Sequence, residues 1–174
     1  MKWQSYFIYV TMFSTLGLIT TAQAQVEKAD IRVDGLSCPF CAYGLEKKLK
    51  KIEGVGKVEI NVDKAVAMLE NKQGKSIEVE GIELAVKNAG FTPKQLTVSV
   101  VGTINQADEA TVLLVSEADE KFILQENEQL KNLRSMVKGP EDRVRVTGII
   151  EHETPEQHHA HPFTLTIQEF EVIE

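Results

Sequence analysis

Apolar and polar residues alternate over residues 29–33, the period of a strand with one buried face. Asp34-Gly35-Leu36-Ser37 breaks that alternation and leads into Cys38. From Pro39 the period lengthens. Cys41, Leu45, Leu49 and Ile52 recur at helical spacing, and Pro39 stands in the first turn, where its missing N–H removes no hydrogen bond. Gly54 and Gly56 are expected to end this helix. Val58, Ile60 and Val62 then share one strand face, Asp63-Lys64 turns the chain, and residues 65–69 return it as a hairpin. Ile82, Ala85, Val86 and Ala89 mark a second helix closed by Gly90, and Leu96, Val98 and Val100 mark a further strand. The order is βαββαβ, the split ferredoxin-like arrangement.

The second half has another rhythm. Residues 110–115 and 121–125 predict short strands joined by the acidic turn Glu117-Ala118-Asp119-Glu120. Leu130, Leu133 and Val137 share one face of a short helix that begins near Asn127, a good N-cap residue, and Gly139-Pro140 stops it. Val144, Val146 and Ile150 alternate in the next strand, with Gly148 a bulge or bend. Phe163, Leu165 and Ile167 alternate in the last, and the parity slips before Phe170 and Val172, as a bulge causes. With a first strand drawn from residues 97–105 the order is βββαββ, the layout of a small OB-type barrel. The expected class is therefore α+β: a ferredoxin-like βαββαβ domain over residues 25–99, then a small OB-like β-barrel domain over residues 100–174. No proline- or serine-rich linker separates them, and residues 95–105 serve both.

The first 24 residues stand apart. Lys2 precedes an uncharged apolar run over residues 7–19, and Ala22-Gln23-Ala24 supplies small residues at the spacing a signal peptidase prefers. The run is short for a membrane span, so residues 1–24 are expected to be a signal peptide. The mature protein would be periplasmic or secreted and would not span the membrane. Of the chain's 19 basic and 26 acidic side chains, only Lys2 lies in that segment. What remains, 18 against 26, carries a net charge of −8, a poor footprint for nucleic acid. No catalytic constellation is evident, and the chain is expected not to be an enzyme.

Export places the two cysteines where disulfides persist. Cys38 and Cys41, separated by two residues, cannot staple a fold; they form a site. With Cys38 on the loop and Cys41 in the first helical turn, both sulfurs can converge on one ion. The positive end of the helix favours thiolate, the ligand form. Two thiolates suit a soft ion such as Cu(I) or Hg(II). A structural zinc site normally needs four ligands, and no third cysteine exists. The same motif before a helix also serves thiol–disulfide oxidoreductases, which is the alternative reading.

The segment Gly35-Leu36-Ser37-Cys38-Pro39-Phe40-Cys41 resembles the GMxCxxC loop of the heavy-metal-associated domain family, which includes copper chaperones and periplasmic mercury-binding proteins. Ile52-Glu53-Gly54-Val55-Gly56-Lys57-Val58 is similar to the family's segment entering the second strand, and Asn88-Ala89-Gly90-Phe91 to the end of its second helix. The resemblance spans about 70 residues in order. It implies a carrier that holds Cu(I) or Hg(II) on Cys38 and Cys41 and passes it by ligand exchange to a metal-transporting membrane protein or another acceptor. Leu36 stands where the family usually has methionine, a near-isosteric change. Pro39-Phe40 is bulkier than the usual spacer, and Phe91 lacks the hydroxyl of the tyrosine common there.

Two further features are chemical candidates. His152, His158, His159 and His161 are all the histidines of the chain, and they fall in the loop between the last two expected strands. Clustered imidazoles suit Cu(II), Zn(II) or Ni(II) as an accessory site. Lys47, Lys48, Lys50 and Lys51 make a basic edge on the first helix of an otherwise acidic chain, most simply a solvated helix face. The resemblance, in which this helix and the metal loop dock onto partners, implies instead an edge that steers an acidic partner.

Overall fold

Three buried side chains on alternating positions, Ala29, Ile31 and Val33, with buried Val26 beyond a register shift, define β1 (Gln25–Asp34) as a strand with one covered face. The computed structural model describes residues 25–107, 110–115, 120–151 and 162–173. Residues 1–24 and the four histidines therefore lie outside the described residues. β1 is followed by α1 (Pro39–Leu49), the hairpin of β2 (Val55–Asn61) and β3 (Val66–Asn71), α2 (Glu80–Asn88) and β4 (Thr92–Ala107). The strands lie in the order β2-β3-β1-β4, all neighbours antiparallel. Ala42, Leu45 and Leu49 of α1 and Ile82, Ala85 and Val86 of α2 are buried against one face of the sheet. The βαββαβ order expected from the sequence is the one observed.

The strands that follow are β5 (Ala110–Val115), β6 (Glu120–Leu124), β7 (Arg143–Glu151) and β8 (Phe163–Ile173), with α3 (Glu128–Met136) between β6 and β7. They form a closed five-strand barrel with β4, in the ring order β4-β5-β6-β8-β7 and back to β4. Every pairing is antiparallel except β6 with β8, which is parallel over three residue pairs. Leu130 and Leu133 of α3 are fully buried in this half. The Asn127 side chain caps α3 by accepting from Leu130 N at 2.8 Å and also donates to Ile167 O at 2.8 Å, fastening the helix to β8. The expected parity slip is a bulge in β8: Gly148 pairs with Ile167 and Thr147 with Glu169.

β4 belongs to both halves. Residues 92–101 pair with β1, residues 96–103 with β7, and residues 103–107 with β5. Between Leu96 and Val101 the strand therefore has a ladder on each edge. Leu96, Val98 and Val100 join one hydrophobic core that runs from α1 and α2 into the barrel. The expected division at residue 100 falls inside this strand. On the opposite face Arg145 of β7 bridges Glu27 of β1 at 3.0 Å and Glu171 of β8 at 2.6 Å, tying the two halves across β4.

Three local expectations are corrected. α1 ends at Leu49, before Gly54 and Gly56. Residues 50–54 are held instead as turns by bonds from Lys72 N to Gly54 O at 2.7 Å and from Glu78 N to Glu53 O at 3.1 Å. Ile52 reaches the core from that turn rather than from the helix. Gly54 has φ +78, and a Cβ there would sit 1.7 Å from the Ser76 carbonyl oxygen, so tertiary packing rather than helix capping selects glycine. Cys41 is not on the buried stripe of α1; Ala42 takes that place and Cys41 is exposed. Glu120 is not part of a surface turn: it opens β6 and is buried.

Candidate metal centre

The site is built where β1 stops. Gly35 adopts φ +87, a turn conformation that suits glycine, and the ring of Phe91 lies 3.7 Å from where a Cβ on Gly35 would stand. Leu36, only 3% exposed, anchors the loop into the core, filling the place expected of the family's methionine. Lys94 at the start of β4 reaches Asp34 at 3.1 Å, closing the base of the loop. The loop is thus held from below by one apolar anchor, one aromatic ring and one ion pair.

Cys38 is the N-cap residue of α1, extended at φ −126 and ψ 124, and its carbonyl accepts the first helical bond from Ala42 N at 3.0 Å. Pro39 follows at the first helical position. This geometry puts Cys38 at the mouth of the helix and Cys41 one turn in, both with free thiols, Cys38 half-buried and Cys41 exposed. The Cys41 thiol is directed at the Cys38 sulfur, and this is the main reason the Cys38 thiol is held below the ordinary thiol range. The backbone N–H groups of Cys41 and Phe40 point toward the same sulfur and act in the same direction, without closing a capping hydrogen bond. Cys41 moves the opposite way, its proton retained chiefly by the hydrogen bond to Cys38. The helix end thus acts on both thiols in the expected direction, but at Cys41 the bond to Cys38 outweighs it.

The arrangement is a pair of sulfurs joined by one S–H···S hydrogen bond, open to solvent. A soft cation can replace that proton and bridge the two sulfurs, and an incoming thiolate has free access to it. Among the described residues no group of three or more His, Cys, Asp or Glu side chains could hold a metal ion, so the pair has no third protein ligand there. Phe91 is half-buried behind the loop. His152, His158, His159 and His161 fall outside the described residues.

Sequence reasoning missed the surroundings of the pair. Phe40, between the cysteines, is 89% exposed, and Tyr43 is 59% exposed with the Lys47 ammonium 4.6 Å from its ring centre. The available signal was the i, i+4 spacing of Tyr43 and Lys47 on the face of α1 opposite Leu45 and Leu49. No helix among the described residues is long and apolar enough to cross a membrane.

No protein-family model matches the chain. It is 31% identical over 64 residues to the copper chaperone CopZ of Staphylococcus epidermidis, a match covering 37% of this chain and 93% of that protein. It is 28% identical over 83 residues to the mercuric transport protein periplasmic component of Shigella flexneri, covering 46% of this chain and 90% of that protein. It is also 34% identical over 68 residues to a copper-exporting P-type ATPase of Bacillus subtilis. That match covers 39% of this chain and spans only 8% of the ATPase's length.

Proposed function

The chain belongs to the heavy-metal-associated domain family, and from that premise we propose that it carries a soft metal ion, Cu(I) or Hg(II), between the thiolates of Cys38 and Cys41. The observation that carries this reading is the pair itself: two accessible sulfurs aimed at each other at the end of a helix, one of them predisposed to be thiolate. The donor set fits the ion, since two thiolates suit soft, low-coordinate cations and leave a position for an acceptor's sulfur. Release is then ligand exchange: the acceptor thiolate bonds the metal, one metal–sulfur bond to this chain breaks, and the freed thiolate takes up a proton. No bond other than metal–sulfur and sulfur–proton changes, so the chain is not an enzyme in this role.

The acceptor we assign is a metal-transporting membrane protein or another thiol-bearing carrier. The similarity of this chain to a segment of a P-type ATPase supports a like-with-like handover. The Ala22-Gln23-Ala24 site and the likeness to a periplasmic component support export with cleavage after residue 24. The barrel fits an OB-type assignment, with strand order 1-2-3-5-4, the first strand closing on the fourth and a helix after the third. The division we adopt is residues 25–99 for metal handling and residues 100–174 for the barrel, joined through β4.

The histidine loop is assigned an accessory metal role. β7 runs antiparallel to β4 with Ile150 opposite Leu96, while Thr92 of β4 lies opposite Asp34 at the entry to the cysteine loop. Glu151 therefore leaves the sheet toward the end that bears Cys38, two strand spacings or roughly 10 Å to the side.

Reduced protein titrated anaerobically with Cu(I), Hg(II) and Zn(II) in competition should bind one equivalent of a soft ion in preference to zinc, and Cys38→Ser should lose it. Unchanged soft-metal binding in Cys38→Ser would sink the proposal. The unequal proton affinities of the two thiols favour a second reading, thiol–disulfide exchange with Cys38 as nucleophile. Insulin reduction by the metal-free protein at a rate set by Cys38 would support it over carriage.

A further inference from the structure

Four large apolar side chains are more than half exposed among the described residues, and three of them lie on one layer: Phe40 and Tyr43 on α1 and Leu84 on α2. Successive helical residues turn by about 100°, which puts Phe40, Tyr43 and Lys47 on the side of α1 directly opposite its buried residues Ala42, Leu45 and Leu49. Lys48 and Lys51 follow at the C-terminal end and line a shallow groove with Leu84, Gly81, Ala85 and the carboxylate of Glu78 between the two helices. Lys50 is engaged by Glu46, while Lys47, Lys48 and Lys51 point to solvent, Lys47 over the Tyr43 ring. Single exposed apolar residues need no explanation, but apolar groups gathered with cations on one helix layer of a chain of net charge −7 do.

We propose that the outer face of the α1–α2 layer docks on the surface of an anionic lipid bilayer. On α1 and the turn after it the solvent-facing cations Lys47, Lys48 and Lys51 are complementary to such a surface and outnumber Glu78, the carboxylate of the groove, while the acidic first turn of α2, Glu80 and Glu83, lies to one side. The cations are lysines, compact charges on flexible stems, which follow a plane of headgroups without the fixed fork geometry that arginine brings to a protein partner. Phe40 and Tyr43 stand on the outer face of α1, and Leu84 lies across the shallow groove on α2. Phe40 is the most exposed of the three, followed by Tyr43 and Leu84, the aromatic and aliphatic complement of an interfacial surface whose rings enter the headgroup boundary. Docking in this way lays the cysteine loop against the membrane, since Cys38 and Cys41 flank Phe40. The inference does not depend on the metal: it rests on charge and exposure alone.

Flotation with vesicles tests it, using residues 25–174, which hold every described core residue, so that the apolar N-terminal run does not contribute. On vesicles containing phosphatidylglycerol at low salt the protein should co-float, and binding should fall as salt rises. Pure phosphatidylcholine vesicles should leave it behind. With roughly a fivefold gain per lysine near an anionic surface, K47Q/K48Q/K51Q should lower the partition coefficient by on the order of a hundredfold. F40S should weaken binding while leaving its salt dependence unchanged. Failure to float with anionic vesicles at low salt, or floating that the triple lysine variant does not reduce, overturns the proposal. Loss of an acidic protein partner by the same variants, with vesicles ignored, overturns it in favour of a protein dock.

Discussion

Removing the side chain of Val98 beyond Cβ should destabilise both halves of the molecule at once. Val98 is fully buried in β4, paired with Ala29 of β1 on one edge and Gly148 of β7 on the other. Val98→Ala deletes two methyl groups, worth about 1.6 kcal/mol at roughly 0.8 kcal/mol per buried carbon. The void left in a core that cannot fully collapse raises the cost to about 2–3 kcal/mol. If β4 makes one cooperative unit, that loss appears wherever exchange requires global opening. Native-state hydrogen exchange should then show backbone amides of β3 and β5 accelerating together, by roughly 30- to 150-fold. β3 sits two strands from the mutation on one side, while β5 pairs with β4 only over residues 103–107, beyond the mutated stretch. A result in which β3 loses protection while β5 keeps it would refute the argument and make the halves separate folding units.

Alkylation of the two thiols should titrate apart. Cys38 should react at pH values below those of an ordinary thiol and Cys41 only above them, as read by mass spectrometry of each labelled site against pH. Cys41→Ala removes the sulfur directed at Cys38 and should move the Cys38 profile upward; no movement would mean the neighbouring thiol does not hold the charge. Because a bridging ion displaces the protons of both sulfurs, soft-metal affinity should fall as pH drops below the Cys41 transition and more steeply below that of Cys38. Gly54→Ala places a methyl group against the Ser76 carbonyl in a left-handed backbone conformation and should cost about 2–4 kcal/mol in urea unfolding. A loss below about 1 kcal/mol would show that the turn yields.

Period and punctuation carried most of the architecture. The strands around Val58, Val98 and Val146, the helix over Leu45 and Leu49, the Asn127 cap and the bulge before Phe170 could all be read because each is a local pattern with a local cause. The errors share a different cause. Gly54 and Gly56 look like a helix stop, yet α1 ends earlier because Lys72 and Glu78, distant in sequence, claim the backbone of that turn. Glu120 looks like surface composition, but its strand turns it into the barrel. Spacing brought Cys38 and Cys41 together correctly. It could not assign the charge to one of them, because that depends on which sulfur the other thiol faces. Nor does a one-dimensional pattern tell a ring packed beneath a loop, as Phe91 is, from a ring standing clear of it, as Phe40 does.

The double ladder on β4 also settles how the sheet ends. An open sheet offers a row of unpaired N–H and C=O groups at each margin, a template for joining another copy. On the barrel side that margin is absorbed into a closed ring, so the row from Leu96 to Val101 is spent on β7. Among the described residues the margin that remains is β2, and there Lys57 forms ion pairs with Glu59 and Glu70 along the rim, charges that a second β-strand would have to strip of water before pairing. The barrel therefore acts as a seal on a strand whose residues, valine at three of six positions, would otherwise favour aggregation. A chain cut at residue 100 would lose that seal along with the barrel.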